Sequence, residues 1–293
     1  MRVLAITIAF CLLITAKALQ LSMKAFSKQE VLAPFQRGNA LKVISGLHNF
    51  DFDLVKNVAW AAKEGGATHV DIACDAKLVR AVKSLCSSVP ICVSSVKPMD
   101  FVAAVQAGAD MIEIGNFDGF YEQGLDFTAE DVMRMTAETR QLLPTTPLSV
   151  TIPHRLSLSE QVALAIRLEL AGVDIIQTEG KVGVSPVGKG TDEMKEIAAP
   201  TIAAAQAISR AVRVPVMCAS GLTDVTAPMA IAAGARGVGV GSMVNKLPSR
   251  QQMYLAVSAL ASSIGLEVAP REVDFVTQQL ETESLEVNAQ INL

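Results

Sequence analysis

Cysteine, histidine, aromatic rings and charge are all scarce in this chain, and each shortage removes a class of function. The 293 residues include five cysteines and three histidines. Cys11 lies near the N-terminus, and Cys74, Cys86, Cys92 and Cys218 are scattered with no C-x-x-C pair. That excludes paired-cysteine zinc and redox motifs and a disulfide framework. Cys74, Cys92 and Cys218 fall on or beside apolar runs, where a thiol acts as a small buried hydrophobe, so no metal is expected. Charged residues make up 18%, net charge is -4, and no strongly basic block occurs. Nucleic acid is therefore not an expected partner, because binding it needs clustered Lys and Arg to displace counterions. Aromatic residues are only 4%, against 51% apolar residues rich in Ala, Val and Ile. This composition predicts helices stacked closely on a Val/Ile-rich sheet. No G-x-G-x-x-G occurs near the start, which disfavours a doubly wound open sheet.

No apolar run is long enough to span a bilayer comfortably. Val3 to Thr15 is too short, and Ala16-Lys17-Ala18 after it supplies an A-x-A-like cleavage signal. Residues 1–18 therefore read as a signal peptide. Residues 19–30 carry Ser22, Lys24, Ser27 and Lys28 and read as a transit-like segment, since acids are missing up to Lys28. Such a two-part leader suits an alga with a secondary plastid, a plain secreted protein being the alternative. Unpaired cysteines and the absence of an N-x-S/T sequence favour the plastid stroma. The mature chain is expected to have no stable membrane span. Residues 31–264 are assigned to one barrel-sized domain and 265–293 to a C-terminal extension, with an amphipathic segment from Val273 to Leu280.

What the chain does contain is a repeated unit. Apolar, β-branched runs at Leu41–Ser45, Thr68–Ala73, Ile91–Ser95, Met111–Gly115, Leu148–Ile152, Ile175–Gln177, Pro215–Ala219 and Gly237–Val240 alternate with helix-length segments. A short turn, Leu32 to Gly38, precedes them. The phrase Ala-Gly-x-Asp closes a helix at 107–110 and again at 171–174, with echoes at 65–68 and 233–236. Eight such units predict a closed (β/α)8 barrel, a TIM barrel. The connection 116–126 holds Phe117, Phe120 and Tyr121, and is expected as a lid or rim. The longest one, 178–192, is rich in glycine and is expected to be functional or mobile.

In such a barrel, residues just past each strand end share one mouth. The candidates are Ser45, His48, Asp71, Asp75, Ser94, Lys97, Glu113, Asn116, Thr151, His154, Gln177, Glu179 and Lys181. Asp71 and Glu113 stand central in apolar strands, where a charge is costly unless paired or facing a ligand. Lys97 and Lys181 are the expected cations, His48 and His154 the candidate acid/base groups. Asp71, Lys97, Glu113 and His154 are taken as the catalytic set. Class I aldolase barrels commonly carry their Schiff-base lysine on the sixth strand, and that position here is Gln177. The last two strands end in small residues, so the backbone of Ser220, Gly221, Gly241 and Ser242 is expected to grip a phosphate.

The step Gln177-Thr178-Glu179-Gly180 is similar to flavin-binding barrels of the nitronate monooxygenase and inosine-phosphate dehydrogenase type, without the reactive cysteine loop of the dehydrogenases. Over nearly the whole mature chain, LKVISGLHNFD, THVDIACD, VSSVKPMDF, AGADMIEIGNFDGFY, SVTIPH, GVDIIQTEG, CASGLT and GVGVGS resemble a family encoded in cyanobacteria and algal plastid genomes as a conserved hypothetical reading frame. That resemblance implies an aldolase-type phosphate-binding barrel in the stroma, with no catalytic residues carried over. The leading expectation is a protein that binds a phosphorylated small molecule as a lyase or isomerase acting next to a carbonyl. An FMN-linked oxidoreductase and a non-catalytic regulatory or assembly protein are the alternatives.

Overall fold

Alternate side chains of a β-strand face opposite sides, so each apolar run must send one set of residues out to the helices and the other into an enclosed interior. The computed structural model describes residues 25–121, 123–180 and 186–268. It closes eight parallel strands in sequence order, the last pairing with the first. They are β1 Ala40–Ile44, β2 His69–Ala73, β3 Ile91–Ser95, β4 Met111–Ile114, β5 Leu148–Thr151, β6 Ile175–Gln177, β7 Val216–Ala219 and β8 Gly237–Val240. The fold is the (β/α)8 barrel expected from the sequence. Residues 1–18, residues 19–24 of the transit-like segment, and the tail from 269 with its Val273–Leu280 segment lie outside the described residues.

Eleven helices lie among the described residues. They are α1 Lys28–Arg37, α2 Phe52–Glu64, α3 Ala76–Leu85, α4 Pro98–Gln106, α5 Asp118–Tyr121, α6 Ala129–Leu142, α7 Leu158–Leu170, α8 Thr191–Ser209, α9 Ala227–Ala232, α10 Ser242–Asn245 and α11 Arg250–Ser263. Several starts follow the capping chemistry visible in the sequence. Asp51 and Asp75 accept the first free N–H groups of α2 and α3, and Thr128–Asp131 and Ser157–Glu160 form capping boxes for α6 and α7. Outward strand residues such as Leu41, Val43, Ile72, Val93, Ile112 and Val150 are fully buried against the inner helix faces.

The N-terminal end of the barrel is plugged by α1. This helix begins four residues before the expected turn at Leu32, because Ser27 and Glu30 form a capping box. Ser27 and Lys28, which read as leader composition, therefore belong to the folded unit. Val31 and Phe35 pack into the barrel floor against Ala40, Cys92, Met111, Ile175 and Met217.

The recurring Ala-Gly-x-Asp phrase sits at this same end, before every second strand. Thr68, Asp110 and Asp174 precede β2, β4 and β6, and each accepts the backbone N–H of the neighbouring odd strand's first or second residue. The bonds are Leu41 N to Thr68 Oγ1 at 2.9 Å, Ile91 N to Asp110 Oδ2 at 2.9 Å and Leu148 N to Asp174 Oδ2 at 3.0 Å. The two aspartates also hold cations from the helix that leads into that strand, Lys83 at 2.6 Å and Arg140 at 2.8 Å. Before β8 the place is taken by Arg236, whose guanidinium donates to the carbonyls of Phe35 and Gln36 at the end of α1. The repeat is thus a strand-registering device on the face opposite the mouth, which in barrel proteins serves stability.

His69 is fully buried under α1. Its Nε2 donates to the Val31 carbonyl at 2.9 Å, leaving Nδ1 as an acceptor beside the Thr68 hydroxyl at 2.8 Å. Burial holds its pKa down to about 4 from 6.5, the bond to Val31 opposing and the charge of Lys42 adding. The folded state therefore resists protonation while the unfolded chain accepts it, so stability is complete above pH 6.5 and falls as pH drops toward 4. At ~1.4 kcal/mol per pH unit of difference, this site removes on the order of 3 kcal/mol. His69→Gln, which keeps an N–H for Val31, is expected to flatten that part of the pH–stability curve in urea unfolding; an unchanged slope would mean that His69 is not the group responsible.

Candidate functional site

The inward set of residues from β1 to β6 is unusually polar for a barrel of this composition. Lys42, Asp71, Ser94, Glu113, Thr151 and Gln177 all point inward and are at most 1% exposed. Strand register puts Ser94 opposite Glu113 and Thr151 opposite Gln177. The Lys42 ammonium contacts Glu113 Oε2 directly and Asp71 Oδ2 at 3.3 Å. Ser94 Oγ lies 2.8 Å from both Asp71 oxygens, and Gln177 Nε2 donates to Glu113 Oε1 at 2.7 Å and Thr151 Oγ1 at 3.0 Å.

Asn116 completes this layer from above. The chain kinks after β4, with Gly115 at φ 147° and Asn116 at φ 60°. A Cβ on Gly115 would fall 2.2 Å from the Thr151 side chain, so only glycine fits the close approach. Left-handed backbone is uncommon for a residue with a side chain. At Asn116 it turns the amide back to Ser94 Oγ at 3.0 Å and Glu113 Oε1 at 3.3 Å.

Burial would lower the Lys42 pKa, but Glu113 and Asp71 more than offset it and hold it above its ordinary value, so Lys42 is an ammonium. Burial raises Glu113, with Lys42 opposing. A protonated lysine locked between carboxylates is a counter-ion, not a Schiff-base nucleophile. Asp71, Cys92 and Glu113 bring ligand atoms within 4.8 Å of one another. The Lys42 ammonium already neutralises that spot, and burial pushes the Cys92 thiol well up, so the group does not suit a metal ion. Cys86 and Cys218 are raised to about 11 and Cys74 to about 12, chiefly by burial, which leaves all three as thiols at neutral pH.

A second polar cluster stands on the rim. Glu179, on the loop after β6, is 5% exposed. It accepts from the Tyr121 hydroxyl at 2.9 Å, His154 Nδ1 at 3.0 Å, His154 N at 3.2 Å and Asp118 N at 3.1 Å. The Tyr121 and His154 rings meet edge to face at 4.8 Å. Asp118, His154 and Glu179 also bring ligand atoms within 4.8 Å. Glu179 spends its lone pairs on these four donors, which fits an orienting carboxylate better than a metal ligand.

Both clusters meet at a cavity of about 200 Å³ in the mouth, lined by Asn116, Asp118, Thr151, Gln177 and Glu179 on one side. Ser220, Gly221, Gly241 and Ser242 line the other side, so all four expected phosphate contacts converge there. Ser220 and Gly221 are both left-handed, at φ 79° and 69°. A Cβ on Gly221 would strike Ile197 at 2.7 Å, whereas one on Gly241 would meet nothing closer than 3.8 Å. Gly221 is therefore demanded by packing and Gly241 is not. A larger hollow, about 600 Å³, lies at the opposite end beside α1, far from the polar layer.

The structure redistributes the expected site residues. Asp71 and Glu113 lie in the layer beneath the cavity, whose floor is Asn116, Thr151 and Gln177. His154 and Glu179 come together on the rim. Lys97 is not brought to either cluster; it is exposed at the start of α4, since Pro98 turns the chain away. His48 is exposed with its ring 4.9 Å from Phe120. Lys181 lies outside the described residues. The aromatic lid residues Phe117, Phe120 and Tyr121 pack beside the mouth, Phe117 against Phe127 at 4.5 Å, and do not line the cavity. Lys42, not Lys97, is the cation of the buried layer. Its signal was available: a charge two residues before Ile44 in an apolar strand meets the same test that selected Asp71 and Glu113.

Residues 26–269 match the family model described as protein of unknown function, DUF561. The Ycf23 protein of Cyanophora paradoxa is 45% identical over 76% of this chain and 92% of its own length. That of Porphyra purpurea is 37% identical over 80% of this chain and 88% of its own. The chain belongs to the DUF561 (Ycf23) family. Its algal relatives are plastid-encoded. Among solved structures, 3-hexulose-6-phosphate synthase superposes with a TM-score of 0.55 at 14% identity, covering 77% of this chain and all of that one. The (S)-3-O-geranylgeranylglyceryl phosphate synthase of Thermoplasma acidophilum, in complex with sn-glycerol-1-phosphate, gives 0.54 at 13% identity over 80% and 97%. At these identities the likeness establishes the aldolase-type barrel fold for this Ycf23 chain.

The polar layer carries a stability consequence. Lys42→Met would leave Glu113 and Asp71 facing each other in a dry interior without their counter-ion. Breaking such a pair by removing one partner costs ~3–5 kcal/mol. Urea unfolding is expected to show a loss of that size; a loss under ~1 kcal/mol would mean that Lys42 does not neutralise the layer.

Proposed function

We propose that this Ycf23 protein binds a compact phosphorylated small molecule and acts on it as a lyase or isomerase, by proton transfer next to a carbonyl. The observation that carries this reading is the single cavity with two unlike walls. One wall is the backbone of Ser220, Gly221, Gly241 and Ser242, where N–H groups can approach an oxyanion closely. The other is a polar floor of Asn116, Thr151 and Gln177 beside Asp118 and Glu179. Phosphate bound at the first wall places the carbon skeleton over the second.

In this reading Asn116 and Gln177 orient the reacting part, and the Asp118–Glu179–His154 group supplies base and acid. Asp71, Glu113 and Lys42 lie beneath and act as positioning residues. They hold the amides in place, with two carboxylates to one ammonium. Substrates whose names include phosphate, in the structural neighbours, lend the reading support without carrying it. The plastid-encoded relatives support a plastid location, and a two-part leader would deliver a nuclear-encoded member there. Among the described residues no helix is long and apolar enough to cross a membrane.

Gly241 provides the direct test. A Cβ there meets only ordinary contacts, so Gly241→Leu is expected to keep the circular dichroism spectrum and melting temperature of the parent. Calorimetric titration with inorganic phosphate should nonetheless show affinity reduced tenfold or more. Equal affinity in parent and variant would remove the cradle.

The cavity is also smaller than the ~300–1,000 Å³ of sites that enclose drug-sized ligands, which favours a compact metabolite over a flavin. The mature chain, begun near Leu19 and incubated with FMN, is expected to show no bound flavin absorption after gel filtration. Near-stoichiometric flavin would replace this reading with an FMN-linked oxidoreductase.

A further inference from the structure

Gln177 has its amide orientation dictated by its neighbours. Nε2 donates to Glu113 Oε1 at 2.7 Å and Thr151 Oγ1 at 3.0 Å, with Asn116 Oδ1 at 3.4 Å. The other oxygen of Glu113 is engaged by Lys42. Reversing the amide would press a carbonyl oxygen against a carboxylate oxygen, so the assignment of donor and acceptor follows from the network. Oε1 must therefore face away from Glu113. Among the described residues nothing donates to it, although Gln177 is only 1% exposed.

A buried acceptor left unmet costs ~1–3 kcal/mol. Gln177 lines the cavity, and where Oε1 faces β8 that strand carries Gly239 in place of a side chain. A Cβ on Gly239 would lie 3.4 Å from Oε1. We infer that Gln177 Oε1 accepts a hydrogen bond from a hydroxyl of the ligand, which makes that ligand a hydroxylated phosphate. A phosphate whose skeleton offers only carbonyl or carboxylate oxygens would set acceptor against acceptor at this point. A hydroxyl suits the site better than an ammonium, because a single neutral amide oxygen does little to offset the desolvation of a charge. A hydroxyl can also accept in return from Asn116 or Thr151. The inference rests on the phosphate reading and adds to it the class of substrate and the residue that selects it.

The test is a titration series on the mature chain with inorganic phosphate, glycerol 1-phosphate, n-propyl phosphate and 3-aminopropyl phosphate. The parent is expected to bind glycerol phosphate at least tenfold more tightly than propyl phosphate. Gln177→Met should bring that ratio within about twofold. Gly239→Ala, whose Cβ would stand 3.4 Å from Oε1 and crowd the Ala219 Cβ at 2.9 Å, keeps the amide donors and should do the same, with circular dichroism showing that each variant is folded. Equal binding of glycerol and propyl phosphate by the parent, or a ratio that survives in both variants, overturns the hydroxyl contact while leaving phosphate binding standing. Tightest binding of the aminopropyl compound overturns it in favour of an ammonium. If no phosphate binds at all, the phosphate reading falls and this inference falls with it.

Discussion

One lysine sealed inside a barrel, in contact with one carboxylate and 3.3 Å from another, is the constraint on which the upper half of this molecule depends. Neither Asp71 nor Glu113 is affordable in a dry interior alone, and Lys42 is not affordable without them. Once the three are together, the remaining lone pairs and donors must be met by neutral partners. Ser94, Asn116, Thr151 and Gln177 do this. The unusual backbone at Gly115–Asn116 follows from the same demand, because only that kink returns an amide to the layer. The result is a rigid polar floor whose orientation is determined from below.

The two ends of the barrel are built on different rules. At the N-terminal end, side-chain oxygens before β2, β4 and β6 pin the neighbouring odd strand, and α1 closes the opening with Val31 and Phe35. Every such contact is repeated or apolar, which suits a face that maintains register. At the other end nothing repeats. Glu179 gathers donors from the loops after β4 and β5, and β7 and β8 end in small residues around a cavity. The unrepeated polar groups thus gather at the C-terminal mouth, although a larger hollow lies at the other end.

Much of this was legible because strands and helices announce themselves locally. Apolar β-branched runs, capping residues and glycines at helix ends act over a few residues, so eight units and their order could be read directly. That Ser220, Gly221, Gly241 and Ser242 lie at one mouth was legible for the same reason, since small residues after a strand mark backbone approach. Lys42 was missed although its position in β1 carried the signal, because loop lysines at 97 and 181 looked nearer to the mouth. Asp118 and Tyr121 were not separable from a lid. Their role depends on meeting Glu179, which lies 61 and 58 residues away.

By itself, the sequence determined the barrel, the direction of its strands and the family. All of these follow from periodicity and local chemistry, or from similarity along the whole chain. Only the tertiary structure decided which charges meet and which side chains line the cavity. Lys97 and Lys42 differ little as residues, but one is exposed beside a helix start and the other is buried between two carboxylates. Burial and partnership are properties of the closed barrel, since its interior brings Lys42 to Glu113, 71 residues away, and removes the water that would otherwise make the choice immaterial.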